Sequence, residues 1–161
     1  MDDNKLTELS SDFSWATAAF MAKLSEKCYD SEGPFKDAIL PISNKSWQIK
    51  FFDFGGTQAY ALNGKDNFIL TFRGTQPTQW EDIKADLDIK KVYSSTIDGR
   101  VEGKVHRGFK YALNDVWNDV IEHMEKCEAN KKQIFITGHS LGADLATLVA
   151  GRLNNPDVVL Y

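Results

Sequence analysis

Cysteine is scarce in this 161-residue chain: there are two, Cys28 and Cys127. Two thiols this far apart build no disulfide framework and match no metal-ligand spacing, so both read as buried thiols. Positive charge is not in excess, with 19 Lys and Arg against 23 Asp and Glu and a formal net charge of −4. That balance argues against a nucleic-acid footprint. One stretch is locally basic, through Lys90, Lys91, Arg100, Lys104, Arg107 and Lys110. It reads as a solvated face before it reads as a contact for an anionic lipid surface. No apolar run is long enough to span a bilayer. The opening Met1-Asp2-Asp3-Asn4 is acidic and no apolar leader follows it. The expectation is a soluble, cytoplasmic protein. Repeats, low-complexity tracts and internal linkers are also lacking.

What is present suits one domain over residues 1–161, long enough to bury a core. Residues 12–29 predict an amphipathic helix, with Phe13, Ala16, Phe20, Leu24 and Cys28 on one face and N-caps among Ser10–Asp12. Asp30-Ser31-Glu32-Gly33-Pro34 ends it, and little pattern follows to Lys45. Trp47–Phe54, Thr57–Leu62 and Asn67–Phe72 then read as three strands joined by the turns Gly55-Gly56 and Asn63-Gly64-Lys65-Asp66, an antiparallel meander. Residues 78–87 suit a short helix, with Thr78 and Glu81 as a capping box and Trp80, Ile83 and Leu87 on one face. Residues 88–104 read as loop or edge strand. From Val105 the best helix begins, its stripe running through Phe109, Ala112, Leu113, Val116, Trp117, Val120, Ile121 and Met124. Val158–Tyr161 reads as the next strand of the sheet. Strand, helix, strand and helix in this order announce a parallel sheet covered by helices.

The most informative stretch is Gln133–Arg152. Ile134-Phe135-Ile136 suits a strand buried on both faces, Gly138-His139-Ser140-Leu141-Gly142 follows, and helix formers continue without proline until Pro156. Strand, G-x-S-x-G and helix describe a nucleophile elbow, a tight and strained turn that lifts Ser140 above the sheet. Gly138 and Gly142 are needed where a side chain would strike a neighbouring strand or helix. The helix after Ser140 turns its N–H groups and positive dipole end toward the site, where they favour a developing oxyanion. Phe72-Arg73-Gly74-Thr75, at the end of a central strand, is placed to supply a second backbone donor.

Four features in this order, Phe72-Arg73-Gly74-Thr75, Trp80 with Asp86-Leu87, Val105-His106-Arg107-Gly108-Phe109 and Gly138–Gly142, resemble the class 3 lipases, a family of α/β-hydrolases. The resemblance implies a mostly parallel sheet with helices on both faces, and a serine hydrolase cleaving acylglycerol or phospholipid esters. It implies no cofactor and no metal, a lipid or ester substrate, and a transient contact with lipid interfaces. Ser140 is then the nucleophile, and Leu141 with Thr75 forms the oxyanion hole. Residues 76–87, with Trp80, Ile83 and Leu87, correspond to the family's lid. His106 supports the site without being the triad base. His139 turns away from the nucleophile and packs beside the elbow, and His123 is a surface or border residue.

Two departures stand out. Ala143 and Asp144 replace the Gly and Ala that usually follow the family's elbow. No histidine follows Ser140, whereas the triad of α/β-hydrolases runs Ser, Asp or Glu, then His along the chain. Asp144 and Asp157 come too early. Two readings follow: the N-terminal part of a lipase or esterase whose domain is incomplete at its C-terminus, or a lipase-like binding protein without catalysis. Strain of the elbow kind favours the first, since a binder has no use for it.

Overall fold

Alternation in two neighbouring strands sets the architecture. In β2 (Thr57–Asn63), Ala59 and Ala61 face one way and Tyr60 and Leu62 the other. In β3 (Asn67–Phe72), Phe68, Leu70 and Phe72 oppose Ile69 in the same manner. All of them are buried, so both faces of these strands are covered. The computed structural model describes residues 9–42, 46–54, 56–74, 90–96 and 99–161. Among them β2 and β3 are joined in one sheet by β1 (Gln48–Phe54), β6 (Gln133–Gly138) and β7 (Val158–Leu160), in the order β1–β2–β3–β6–β7. β1, β2 and β3 are the antiparallel meander expected from the turns. β3 with β6 and β6 with β7 are parallel, so the sheet is mixed and its parallel half starts at β3. Register places Phe72 beside Gly138 and Thr71 beside Thr137.

One face is covered by α1 (Trp15–Lys27) and α2 (Glu32–Ile39). α1 starts later than residue 12, because Ser14 is the N-cap and accepts a hydrogen bond from the Thr17 amide. Its buried residues are Thr17, Phe20, Met21, Leu24 and Ser25, an i, i+3, i+4, i+7, i+8 stripe. Phe13 and Ala16 of the expected stripe are exposed. Two polar members, Thr17 and Ser25, hid the true face from a count of apolar residues. α2 lies in the stretch read as unpatterned. Pro34 falls in its first turn, where no amide proton is required, and Phe35 and Ile39 one turn apart are fully buried.

The other face carries α3 (Arg107–Lys126) and α4 (Leu141–Leu153). α3 buries Leu113, Val116, Val120 and Met124 of the expected stripe, with Ala112, Trp117 and Ile121 partly covered. α3 and α4 are tied by Arg152, which bonds Asn114 Oδ1 and lies 5.0 Å over the Trp117 ring. β4 (Lys91–Ser95) and β5 (Val101–His106) form a separate antiparallel hairpin with a bulge at Ser94 and Ser95, within the segment read as loop or edge strand. Val105 and His106 therefore close a strand, and α3 opens at Arg107. Both cysteines are free thiols, Cys28 buried and Cys127 half-buried. No helix among the described residues is long and apolar enough to cross a membrane.

Candidate active site

β6 delivers the site. Ile134, Phe135, Ile136 and Thr137 are buried between the two helical layers. The chain then turns through His139 and Ser140 into α4. Ser140 has φ 57° and ψ −126°, unlike the left-handed helical Glu128 and Asn154, the other positive-φ residues besides glycine in the described chain. A side-chain-bearing residue held there stores about 1–3 kcal/mol of strain, sustained by the packing around it.

That packing is backbone against backbone. A Cβ on Gly142 would lie 2.2 Å from the Phe72 carbonyl oxygen of β3, and one on Gly138 2.3 Å from the Gly142 oxygen. These are the strand and helix collisions that the two glycines avoid. Gly74, just past β3, meets the elbow equally closely: its Cβ would fall 2.3 Å from the His139 oxygen and 2.4 Å from the Tyr29 hydroxyl. The Gly142 amide donates to His139 O at 3.0 Å and the Ala143 amide to Ser140 O at 2.8 Å. The Leu141 amide donates to no described residue and lies beside Ser140 at the positive end of α4. The Ser140 side chain makes no cap hydrogen bond to α4. Thr75 and residues 76–87, including Trp80, Ile83 and Leu87, lie outside the described residues.

Each histidine has a distinct place. His139 is exposed, with Nδ1 3.1 Å from the Tyr29 hydroxyl and its ring edge-on to Tyr29. His106 closes β5, occupies the N-cap position of α3 without a side-chain cap bond, and packs edge-on to Phe109. It also pulls down the Asp144 carboxyl of α4, which desolvation raises above the usual range by a larger effect. His123 is half-buried against Phe52 and Phe68, and burial followed by Lys50 and Lys126 lowers its pKa, which favours the neutral ring.

A cavity of about 870 Å³ opens beside Ser140. It is lined by Ala18, Ala22, Ser25 and Glu26 of α1, by Tyr29 just past that helix, by Thr137–Ser140 and by Tyr161. Beneath it Ser25 Oγ and Thr137 Oγ1 bond each other at 2.8 Å. The Cys28 thiol donates to Ser25 O at 3.0 Å. Burial pushes that thiol up to about 11, against smaller opposing pulls from the Thr71 hydroxyl and Arg73. Tyr29, Ser25 and Thr137 were not singled out in the sequence. Tyr29 falls just past its helix and outside any motif, and the other two are polar residues in otherwise apolar elements.

Comparison with known proteins agrees with this geometry. Residues 69–158, more than half of the chain, match the profile of Lipase (class 3). A curated relative, phospholipase A1-IIgamma of Arabidopsis thaliana, is 28% identical over 75% of this chain and 34% of its own length. The triacylglyceride lipase of Rhizomucor miehei superposes with a TM-score of 0.65 at 21% identity, over 92% of this chain and 62% of that one. A triacylglycerol lipase described as having a serine protease triad superposes at 0.62 with 23% identity, over 86% and 55%. This chain therefore spans about a third of the curated relative and under two thirds of the fungal enzymes. The fungal structures share the α/β-hydrolase fold with it. By the match over residues 69–158, which runs from β3 through the elbow to β7, the chain belongs to the class 3 lipase family.

Proposed function

We propose that this chain carries the nucleophile and half of the oxyanion hole of a serine hydrolase cleaving acylglycerol or phospholipid esters. The observation that carries the reading is Ser140 at φ 57° on a turn walled by Gly74, Gly138 and Gly142, with beside it the Leu141 amide, which donates to no described residue. Such a turn exposes a hydroxyl and aims a backbone donor where negative charge develops on a carbonyl oxygen. Ser140 Oγ attacks the ester carbonyl, the alcohol leaves with a proton from the general acid, and water releases the acid from the acyl-enzyme. The phospholipase and triacylglycerol lipase names of its relatives support lipid esters as substrates. Thr75 supplies the second oxyanion donor, and residues 76–87 are the cover over the site.

A serine hydroxyl needs a base, and no histidine follows Ser140 in this chain. In this reading the Asp and His of the triad come from residues outside these 161. The test is hydrolysis of nitrophenyl esters, with fluorophosphonate labelling of Ser140, by this chain and by one extended through whatever the gene encodes after Tyr161. The short chain is expected to retain at most the residual catalysis of an oxyanion hole, about a thousand-fold over water. The extended chain is expected to turn over freely, and Ser140→Ala to abolish both turnover and labelling. Turnover that survives Ser140→Ala overturns the proposal. Hydrogen exchange over 76–87 with and without lipid micelles tests the cover, and equal protection in both conditions removes it.

A further inference from the structure

We infer that the outer face of the β4–β5 hairpin, built on Lys91, Tyr93 and Lys104 with Lys110 beside them, docks on a membrane surface rich in anionic phospholipid. The face is separate from the cavity at the elbow and stands without the hydrolase reading. Register pairs Tyr93 with Lys104 and Lys91 with His106. Residues directly opposite in an antiparallel pair project to the same side. Val92 and Val105 pair between them and are half-buried, whereas Lys91, Tyr93 and Lys104 are exposed. The alternation therefore gives the hairpin a half-buried valine side and an exposed basic side. Lys110, near the start of α3, reaches the same strand and donates to the Tyr93 carbonyl oxygen at 2.7 Å.

Charge on this face is left uncompensated. Lys27, Lys36, Lys126 and Lys131 each hold a carboxylate. Among the described residues no carboxylate pairs with Lys91, Lys104 or Lys110. Residues 90–110 carry six Lys and Arg against Asp98 and Glu102, in a chain of net charge −4. An anionic surface is thus repelled by the molecule as a whole and attracted by this segment, which orients the encounter. Tyr93 is 60% exposed, and Lys104 Nζ lies 5.0 Å over its ring. An exposed tyrosine among lysines suits a headgroup layer, where the ring sits at the boundary and the ammonium ends reach the phosphates. Nucleic acid is the other polyanion a basic face could take. The three cations named are lysines, point charges that adjust to mobile headgroups, not the planar forks that match fixed phosphates.

The test is sedimentation of this chain with sucrose-loaded vesicles of phosphatidylcholine, alone or with about one-third phosphatidylserine. Binding is expected to the mixed vesicles only. It should fall about tenfold as salt rises from about 0.05 to about 0.5 M, because screening shortens the reach of each charge. Lys91→Gln and Lys104→Gln should each weaken it about fivefold, the ratio for one lysine near an anionic surface, and together about twenty-fivefold. Tyr93→Ser should weaken it as well, with circular dichroism as the fold check. Lys65→Gln makes the same change of charge in the exposed turn before β3 and should leave binding unchanged. No binding to the mixed vesicles, equal binding to both compositions, or an equal loss from Lys65→Gln overturns the inference. So does binding to a DNA duplex as tight as to the vesicles and weakened by the same lysine variants, which would make the face a general polyanion site. Ser140→Ala should bind as the parent does. Vesicle binding with this pattern but no hydrolysis by the extended chain would sink the hydrolase reading and leave the docking face standing.

Discussion

Under α3 and α4 the ends of β3 and β6 present Phe72 and Ile136, fully buried in an apolar cluster. Under α1 and α2, one residue earlier and one later on the same strands, they present Thr71 and Thr137. Thr137 bonds Ser25 of α1 and Thr71 adjoins Cys28 at that helix's C-cap, and the cavity lies beside Ser25 and Thr137. The strands are shared, and the alternation of side chains lets one face hold the fold while the other accommodates polar groups and space next to the elbow. The elbow depends on both. Gly142 presses on the Phe72 carbonyl, whereas Tyr29 reaches His139 from just past α1.

Four measurements would break or sharpen this contrast. The largest effect is expected on the apolar face, where Phe68→Ala removes a ring with no exposed surface. It should cost about 3–5 kcal/mol in urea unfolding. A cost below 1 kcal/mol would mean that this face does not carry the fold.

A pH series reads the other face. The folded Cys28 thiol keeps its proton up to about pH 11, against 9.0 for the ordinary group. Its contribution is therefore intact below pH 9 and lost as the pH rises through 11, about 2–3 kcal/mol in all. Cys28→Ala should flatten the stability curve between those values. Tyr60, on the same face and raised to about 12 by burial first, weakens stability in the same sense above pH 10 and remains in both proteins. An identical slope with and without Cys28 would refute the assignment.

Gly142→Ala joins the faces, because its methyl has no room against Phe72 O. A loss of about 1–3 kcal/mol is expected from overpacking. Hydrogen exchange should place the loosening at the end of β3 and the start of α4. Uniform loosening across α2 and β1 as well would show that the elbow is not a local device.

The smallest effect belongs to the hydroxyl pair. Thr137→Val leaves Ser25 Oγ buried without its partner and should cost about 1–2 kcal/mol. Ser25→Ala combined with Thr137→Val should recover most of that. Additive losses would show that the pair acts through packing instead.

Sequence patterning determined the strands of the meander, the buried run Ile134–Ile136, the elbow glycines around Ser140 and the stripe of α3. Each is a local rule: alternation, a turn dipeptide, a fixed glycine spacing or a 3.6-residue period. Where a polar residue is buried or a proline sits in a first turn, local rules point elsewhere. Thr17 and Ser25 redirected the face of α1, and Pro34 concealed α2 behind an apparent breaker. The roles of Gly74 and Tyr29 were not legible either, because no spacing predicts that residues 29, 74 and 139 meet. Tertiary structure alone decided that meeting, and with it the cavity along α1, since closing a distant contact depends on how whole elements stack and not on the preferences of any one of them.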